Sequence, residues 1–218
     1  MKKLLCSILT TFMLFLVGTS VMASEKSITV KVTDLTREEY LKILAEDMGI
    51  TVEEADKYDK EQTKKTEARL KKQYPELFAD TITTLAETNS YAYKTVQHTE
   101  EYPENDDFSA KVVATLKIYA SGSFRQIVDV TGVSSRRVSG TYDYDWEENY
   151  AWTSPSAEEV REEGATAIDI GANGYFVVEV PYEINLGGFG FGGAYGNTFR
   201  YESEEMDIIF EYDLYDSI

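Results

Sequence analysis

The 218-residue chain has one cysteine, Cys6, and one histidine, His98. Both counts remove chemistry. Thiol nucleophiles and disulfide staples need cysteines beyond the first few residues, and zinc or copper sites need several His or Cys ligands. A Ser–His–acid triad could run only through His98, and no G-x-S-x-G elbow accompanies it. His98 ends the strand-like run "YAYKTVQH", where an ordinary strand-end imidazole is the simpler expectation. Basic charge is also scarce, with 21 Lys and Arg against 39 Asp and Glu. The shortage is uneven: Asp34 to Asp80 holds 13 acids and 9 bases, whereas His98 to Ile218 holds 24 acids and 7 bases. That second part repels phosphate backbones and anionic lipid, which disfavours nucleic-acid and membrane-surface partners. No Asn-x-Ser/Thr sequon occurs, and no second long apolar run follows the first.

That first run is informative. Lys2 and Lys3 precede an almost unbroken apolar stretch, Leu4 to Val17, and Val21-Met22-Ala23 offers the small residues at which a signal peptidase cuts. We expect a secretory signal peptide over residues 1–23 and a secreted, extracellular chain. Cys6 lies near the start of this apolar run and not after it, which disfavours a lipoprotein anchor. Removal of the segment leaves 195 residues, with 19 basic and 39 acidic side chains and no cysteine. Such a chain must rely on a hydrophobic core, and it is long enough to build one.

Two periodicities divide the remainder. "SITVKVT", Ser27 to Thr33, alternates like a strand or an extended arm. Thr36 with Glu39, and Thr51 with Glu54, are capping boxes. Gly49 sits where a first helix from about Arg37 to Met48 should stop. A second helix, mostly charged, starts near Val52 and is interrupted at Pro75; "ELFADTITTLAE" reads as a last short helix or turn. The pair resembles a helix-turn-helix, but the would-be recognition helix offers Glu53, Glu54, Asp56 and Asp59 to a DNA backbone, so we read a helical hairpin. From about Asn89 the period becomes two. Val112, Ala114, Leu116 and Ile118 share one face, and Ser121-Gly122 turns the chain towards Phe124, Val128 and Val130. "NGYFVVEVPYEINL" reads as a strand that begins after an Asn173-Gly174 turn and continues past Pro181. "SPSAEEVREEGA" reads as a polar loop with a helical turn capped by Ser156. In "EMDIIFEYDLYDSI", Ile208, Phe210, Tyr212 and Leu214 face inwards. The fold class expected is α+β: an N-terminal helical hairpin over residues 24–88, then an antiparallel β-sandwich or open barrel over residues 89–218.

The capped "LTREEYLKILAEDMGITVEEA" hairpin behind a signal peptide, with the cysteine-free "YASGSFRQI" strand region, resembles small secreted proteins of Gram-positive bacteria of the Firmicutes type. The resemblance implies export and a β-sandwich. It carries no activity, cofactor or site residue with it.

Candidate chemistry concentrates in "TYDYDWEENYAW". As a strand, it projects Tyr142, Tyr144 and Trp146 from one face and Asp143, Asp145 and Glu147 from the other, with Trp152 close by. Aromatic rings side by side on a sheet stack on sugar rings, so Tyr142, Tyr144, Trp146 and Trp152 are candidate ligand-binding residues. The competing reading packs these rings into the core. Asp143, Asp145 and Glu147 are candidate ligands for a weak Ca²⁺ site, although Glu148 at the sixth position and Ser154 at the twelfth exclude an EF-hand. No other cofactor is expected.

"NLGGFGFGGAYGNT", Asn185 to Thr198, holds six of the 14 glycines, and Gly188, Gly190 and Gly193 satisfy G-x-G-x-x-G. A Gly196-Asn197 turn and another strand follow, where a dinucleotide fingerprint would open a helix. The stretch reads as a glycine-faced core strand or, alternatively, as a membrane-seeking hairpin. Function is therefore expected to be a non-catalytic extracellular binding module for a cell-wall glycan, a host glycan or a protein. The alternatives are a β-pore-type effector and a carboxylate-dependent glycan hydrolase.

Overall fold

The computed structural model describes residues 29–78, 90–138 and 143–216. The expected signal segment and Tyr142 lie outside the described residues. Both capping boxes form: Thr36 caps α1 (Arg37–Met48) and Thr51 caps α2 (Val52–Gln73), each with its third residue, Glu39 or Glu54, hydrogen-bonded back to the cap. Gly49 ends α1 in the left-handed conformation, which a side chain would strain. A 3-10 turn, Pro75–Phe78, follows α2.

The strands form two antiparallel sheets. The first has the order β1-β2-β3-β4, from Val30–Leu35, Ser90–Tyr102, Asn105–Ser121 and Phe124–Arg137. The second has the order β5-β6-β8-β7, from Asp145–Ser154, Ala167–Val180, Thr198–Ser203 and Phe189–Tyr195; β9 (Met206–Asp213) pairs with the first half of β6. The α+β sandwich expected from the sequence is thus the fold. The strand before the helices also belongs to it, because β1 pairs with β2 from Val30↔His98 to Leu35↔Tyr93.

Period-two alternation fills the space between the sheets. Val112, Ala114, Leu116 and Ile118 of β3 meet Ile168, Ile170 and Ala172 of β6 and Ile208 and Phe210 of β9. One end is aromatic: the Phe108 ring lies 4.9 Å from Tyr144, 5.8 Å from Phe176 and 4.7 Å from Phe189. The short helix α3 (Ala157–Glu163), capped by Ser156, sends Val160 into this core. His98 sits in the middle of β2, nearly buried, with Nε2 3.0 Å from Glu100 and its ring on Phe210.

The helices cover the outer face of the first sheet, making a third layer. Tyr40, Leu41, Leu44 and Ala45 of α1 pack with Tyr93, and Leu70 of α2 packs with Tyr119 and Val128. A buried polar cluster lies beneath them. Lys117, in mid-β3 and 2% exposed, reaches Asp59 and Thr63 of α2 with its Nζ and stands 4.7 Å over the Tyr91 ring. Arg37 bridges Asp59 and Asp56 at 2.7 Å each. Nearby Asp129, 4% exposed, accepts from Tyr40 at 3.1 Å and Arg161 at 3.0 Å.

Three expectations need correction. Asn173-Gly174 is not a turn: β6 runs straight through it, because the Asn173 amide is held by Asn149 and Asp207 and the Trp146 ring lies against Gly174. The strand ends at Val180, so Tyr182, Ile184 and Leu186 follow it outside the ladder. The glycine-rich stretch does form a hairpin, β7 turning into β8 at Gly196-Asn197, but β7 is an edge strand and not a core strand. A bulge between Phe191 and Gly193 breaks its alternation, leaving Phe189 on the core and Phe191 and Tyr195 exposed.

The buried ion cluster makes two measurable predictions. Asp59→Asn leaves the Lys117 ammonium without its carboxylate and should cost about 3 kcal/mol in urea unfolding. Burial pushes the Asp129 carboxyl above the ordinary carboxylate range, against the pull of Arg161 and Tyr40. A carboxyl whose pKa rises on folding binds its proton more tightly in the folded state, so it adds stability on the acid side that is lost as pH rises through the folded value. The stability of wild type relative to Asp129→Asn should therefore increase as pH is lowered from about 7 towards about 4, in paired urea titrations.

Candidate functional site

With helices on one outer face, the other outer face of the sandwich, on the β5-β6-β8 and β9 side, carries no helix among the described residues. Its side chains follow from register. β6 points Ile168, Ile170, Ala172, Phe176 and Val178 into the core, so Asp169, Gly171, Asn173, Tyr175, Val177 and Glu179 point out. Opposite them, Trp152 pairs with Gly171, Tyr150 with Asn173 and Glu147 with Tyr175 on the β5 side; Ile209 and Asp207 continue the first two rows on β9.

A bulge in β5 decides which aromatic side chains reach this face. The register shifts between Glu148 and Tyr150, at Asn149. Before the shift, Tyr144 and Trp146 face inwards and Glu147 outwards; after it, Tyr150 and Trp152 face outwards and Ala151 inwards. The candidate aromatic group is thereby split. Tyr144 is a core residue, 2% exposed, with its hydroxyl satisfied by the carbonyls of Val138 and Ser109 and the amide of Ser109. Its ring is packed in the core and not presented at the surface. Trp146 is half-buried on the Phe176 ring, 4.9 Å away, and donates to the Ser135 hydroxyl at 2.7 Å. Trp152 alone of the described candidates stands on the open face, joined there by Tyr150 and Tyr175, which alternation without a bulge did not single out.

Trp152 has an unusual seat. A Cβ placed on Gly171 would lie 2.5 Å from the indole Cε2 and Cζ2 and 2.7 Å from Nε1. The ring therefore rests directly on the β6 backbone, in the gap that a residue with a side chain would fill, with Ile209, 49% exposed, in the same row. Its N–H has no hydrogen-bond partner among the described residues. The next row supplies polar groups: Tyr150, 55% exposed, and a chain in which Asn149 donates to Asn173 at 2.7 Å and Asn173 donates to Asp207 at 2.9 Å. Those bonds fix the amide orientations and leave one Asp207 carboxylate oxygen and the Asn149 carbonyl as acceptors at the rim.

The third row is ionic. Tyr175 donates to one Glu147 oxygen at 2.5 Å, and Arg200 to the other at 2.8 Å. Arg200 also binds Glu202 at 2.6 Å and approaches Glu179 at 3.6 Å. The Tyr175 hydroxyl and the Arg200 guanidinium hold Glu147 below the usual carboxylate range, and the same bond raises Tyr175. Glu147 is thus a fixed anion, the wrong state for a general acid.

The three candidate calcium ligands are not brought together. Glu147 is committed to Arg200 and Tyr175 on the outer face, Asp143 pairs with Arg137 at 3.2 Å, and Asp145 is exposed beside Val177. Among the described residues, no group of three or more His, Cys, Asp or Glu could hold a metal ion.

The seat of Trp152 is open to a direct check. Gly171→Ala must lift the indole from the backbone, so it should red-shift the tryptophan emission and raise its accessibility to acrylamide, while far-ultraviolet circular dichroism stays unchanged. An unaltered spectrum would mean the ring does not lie there.

Comparison of the chain with protein-family models, with curated proteins and with solved structures finds no match.

Proposed function

We infer that the protein is a non-catalytic extracellular binding module, and that its ligand is a glycan held on the outer face formed by β5, β6 and β9. One observation carries the reading: an indole seated against the bare backbone of Gly171, on the sheet face opposite α1 and α2. A partly exposed ring held on a sheet is a surface on which the apolar face of a sugar stacks, and hydroxyls need acceptors and donors at its margin. Asn149, Asp207, Tyr150 and the free indole N–H are placed for that. Export rests on the sequence of residues 1–23 and suits a ligand outside the cell.

The alternatives have less behind them. A hydrolase needs a carboxyl that stays protonated beside a second carboxylate, and Glu147 is held ionised. A membrane-spanning hairpin needs about 9–11 residues per strand. β7 has 7 and β8 has 6, and β8 carries Arg200 and Glu202. The exposed Phe191 and Tyr195 alone do not make a span.

The reading is tested by isothermal titration and affinity electrophoresis against soluble cell-wall and plant polysaccharides. At least one should bind without releasing product. Trp152→Ala should weaken that binding by about tenfold or more, equivalent to about 1.4 kcal/mol. Trp146→Phe, on the core side, should leave it unchanged. A panel with no binder, or a Trp152→Ala protein that binds normally, would overturn the proposal.

A further inference from the structure

A second feature lies on the helical side, between α2 and α3. Gln62, Lys65, Arg69, Lys72 and Gln73 line one wall of a groove there, and Glu158, Arg161 and Glu162 the other. Its volume is about 910 Å³. Residues 62, 65, 69 and 72 recur at three and four, so they form one stripe along α2. At 1.5 Å of rise per residue, Lys65 and Lys72 stand about 10 Å apart along the helix.

The groove gathers four cations on a chain with a net charge of −18. Half of the described cations elsewhere are matched: Arg37, Lys42, Lys60, Lys94, Lys117, Arg137 and Arg200 hold carboxylates, whereas Lys31, Lys57, Lys64, Lys71, Lys111, Arg125 and Arg136 form no ion pair with any described residue. Lys65, Arg69 and Lys72 form no ion pair with any described residue, Glu158 and Glu162 across the groove included. Arg161 contributes a fourth cation, anchored from behind by Asp129.

Arg69 carries the stronger signal. One of its terminal nitrogens donates to the Glu163 carbonyl and to Gln73 at 3.4 Å. Its Nε and its other terminal nitrogen are buried and find no acceptor among the described residues. Burial without a counter-charge also pulls its pKa down. An N–H of a charged group shut from water and left unbonded is costly, and native proteins keep few of them. A bound anion supplies what is missing, once the guanidinium turns its free edge into the groove.

We propose that the α2–α3 groove binds a short oligophosphate anion, with Arg69 as the fork that grips one phosphate and Lys65 and Lys72 contacting the groups on either side. Phosphate fits better than a lone carboxylate for two reasons. Each group brings close to two charges and several acceptor oxygens, and the cation spacing exceeds what one group can bridge. The acidic surface around the groove limits the ligand to a short anion, because a long polyanion would meet repulsion beyond it.

The test uses tripolyphosphate as the probe, by calorimetry and by following the Arg69 Nε–H resonance, at low and at physiological ionic strength. Wild type should bind saturably, the Arg69 resonance should shift, and the thermal midpoint should rise with ligand. Inorganic phosphate should bind at least tenfold more weakly. Lys65→Gln/Lys72→Gln, at two exposed positions that leave the fold intact, should lose tenfold or more in affinity, and Arg69→Gln should lose binding. The proposal is overturned by the absence of saturable binding, by a double variant that binds as wild type does, by an Arg69 resonance that ignores the probe, or by triglutamate binding as tightly as tripolyphosphate.

Discussion

Lys117 constrains everything around it. It sits in the middle of a central strand, 2% exposed, and a lone ammonium there would unfold the sheet. The sheet itself sets Asp129 of β4 opposite Lys117, but the carboxylate that Nζ contacts is Asp59, delivered by α2. Asp59 is then held from its far side by Arg37 at the start of α1, so one buried cation ties both helices to the sheet. Around this the apolar contacts assemble: Tyr40 on Tyr93 with rings 4.5 Å apart, and Leu70 against Tyr119 and Val128. Hydrophobic burial supplies most of the attraction, and the ion cluster sets the position of the layer, since a slipped helix would strand a charge.

This layer closes one of the two outer faces and leaves the other as the proposed binding face. A sandwich has two outer faces, and here one is closed by α1 and α2. The other keeps an aromatic and amide surface that no described helix touches. Gly171 is the residue that shapes it. In a β-strand a glycine weakens packing, and its place is explained where another group must come close. The indole of Trp152 is that group, and a side chain at residue 171 would tilt the ring away from the sheet.

Local signals are legible in this sequence, and signals that depend on distant partners are not. Thr36–Glu39, Thr51–Glu54 and Gly49 announce the helix ends because a cap satisfies its own backbone within four residues. The alternation of Ile208, Phe210, Tyr212 and Leu214 marks β9 because one sheet face is buried throughout. Asn173-Gly174 misleads because its turn chemistry is overridden by Asn149 and Asp207, residues far from it in the chain. The candidate binding face is the instructive case. The stretch from Asp143 to Trp152 was recognisable as the place of interest, yet one inserted residue, Asn149, reverses the sense of alternation. It sends Tyr144 into the core and Tyr150 and Trp152 to the surface. A bulge has no composition of its own; it appears only when the partner strand's register is known. The groove beside α2 was hidden for a related reason: its lysines look like a solvated helix face until α3 is set across from them.

The two candidate sites lie in different layers, and that separation has a consequence. The proposed glycan face belongs to the second sheet, and the basic groove lies between α2 and α3 on the helical side. No side chain is shared between them, so occupancy of one leaves the other intact. A ligand carrying both sugar and phosphate groups within one chain could engage the two sites only by wrapping around the sandwich. Two separate ligands could be held at once, and the module would then join them with an affinity set by effective concentration and not by new contacts. The charge pattern fits this arrangement. The net charge of −18 would limit a phosphate ligand of the groove to a short anion, and the proposed sugar face suits a neutral chain.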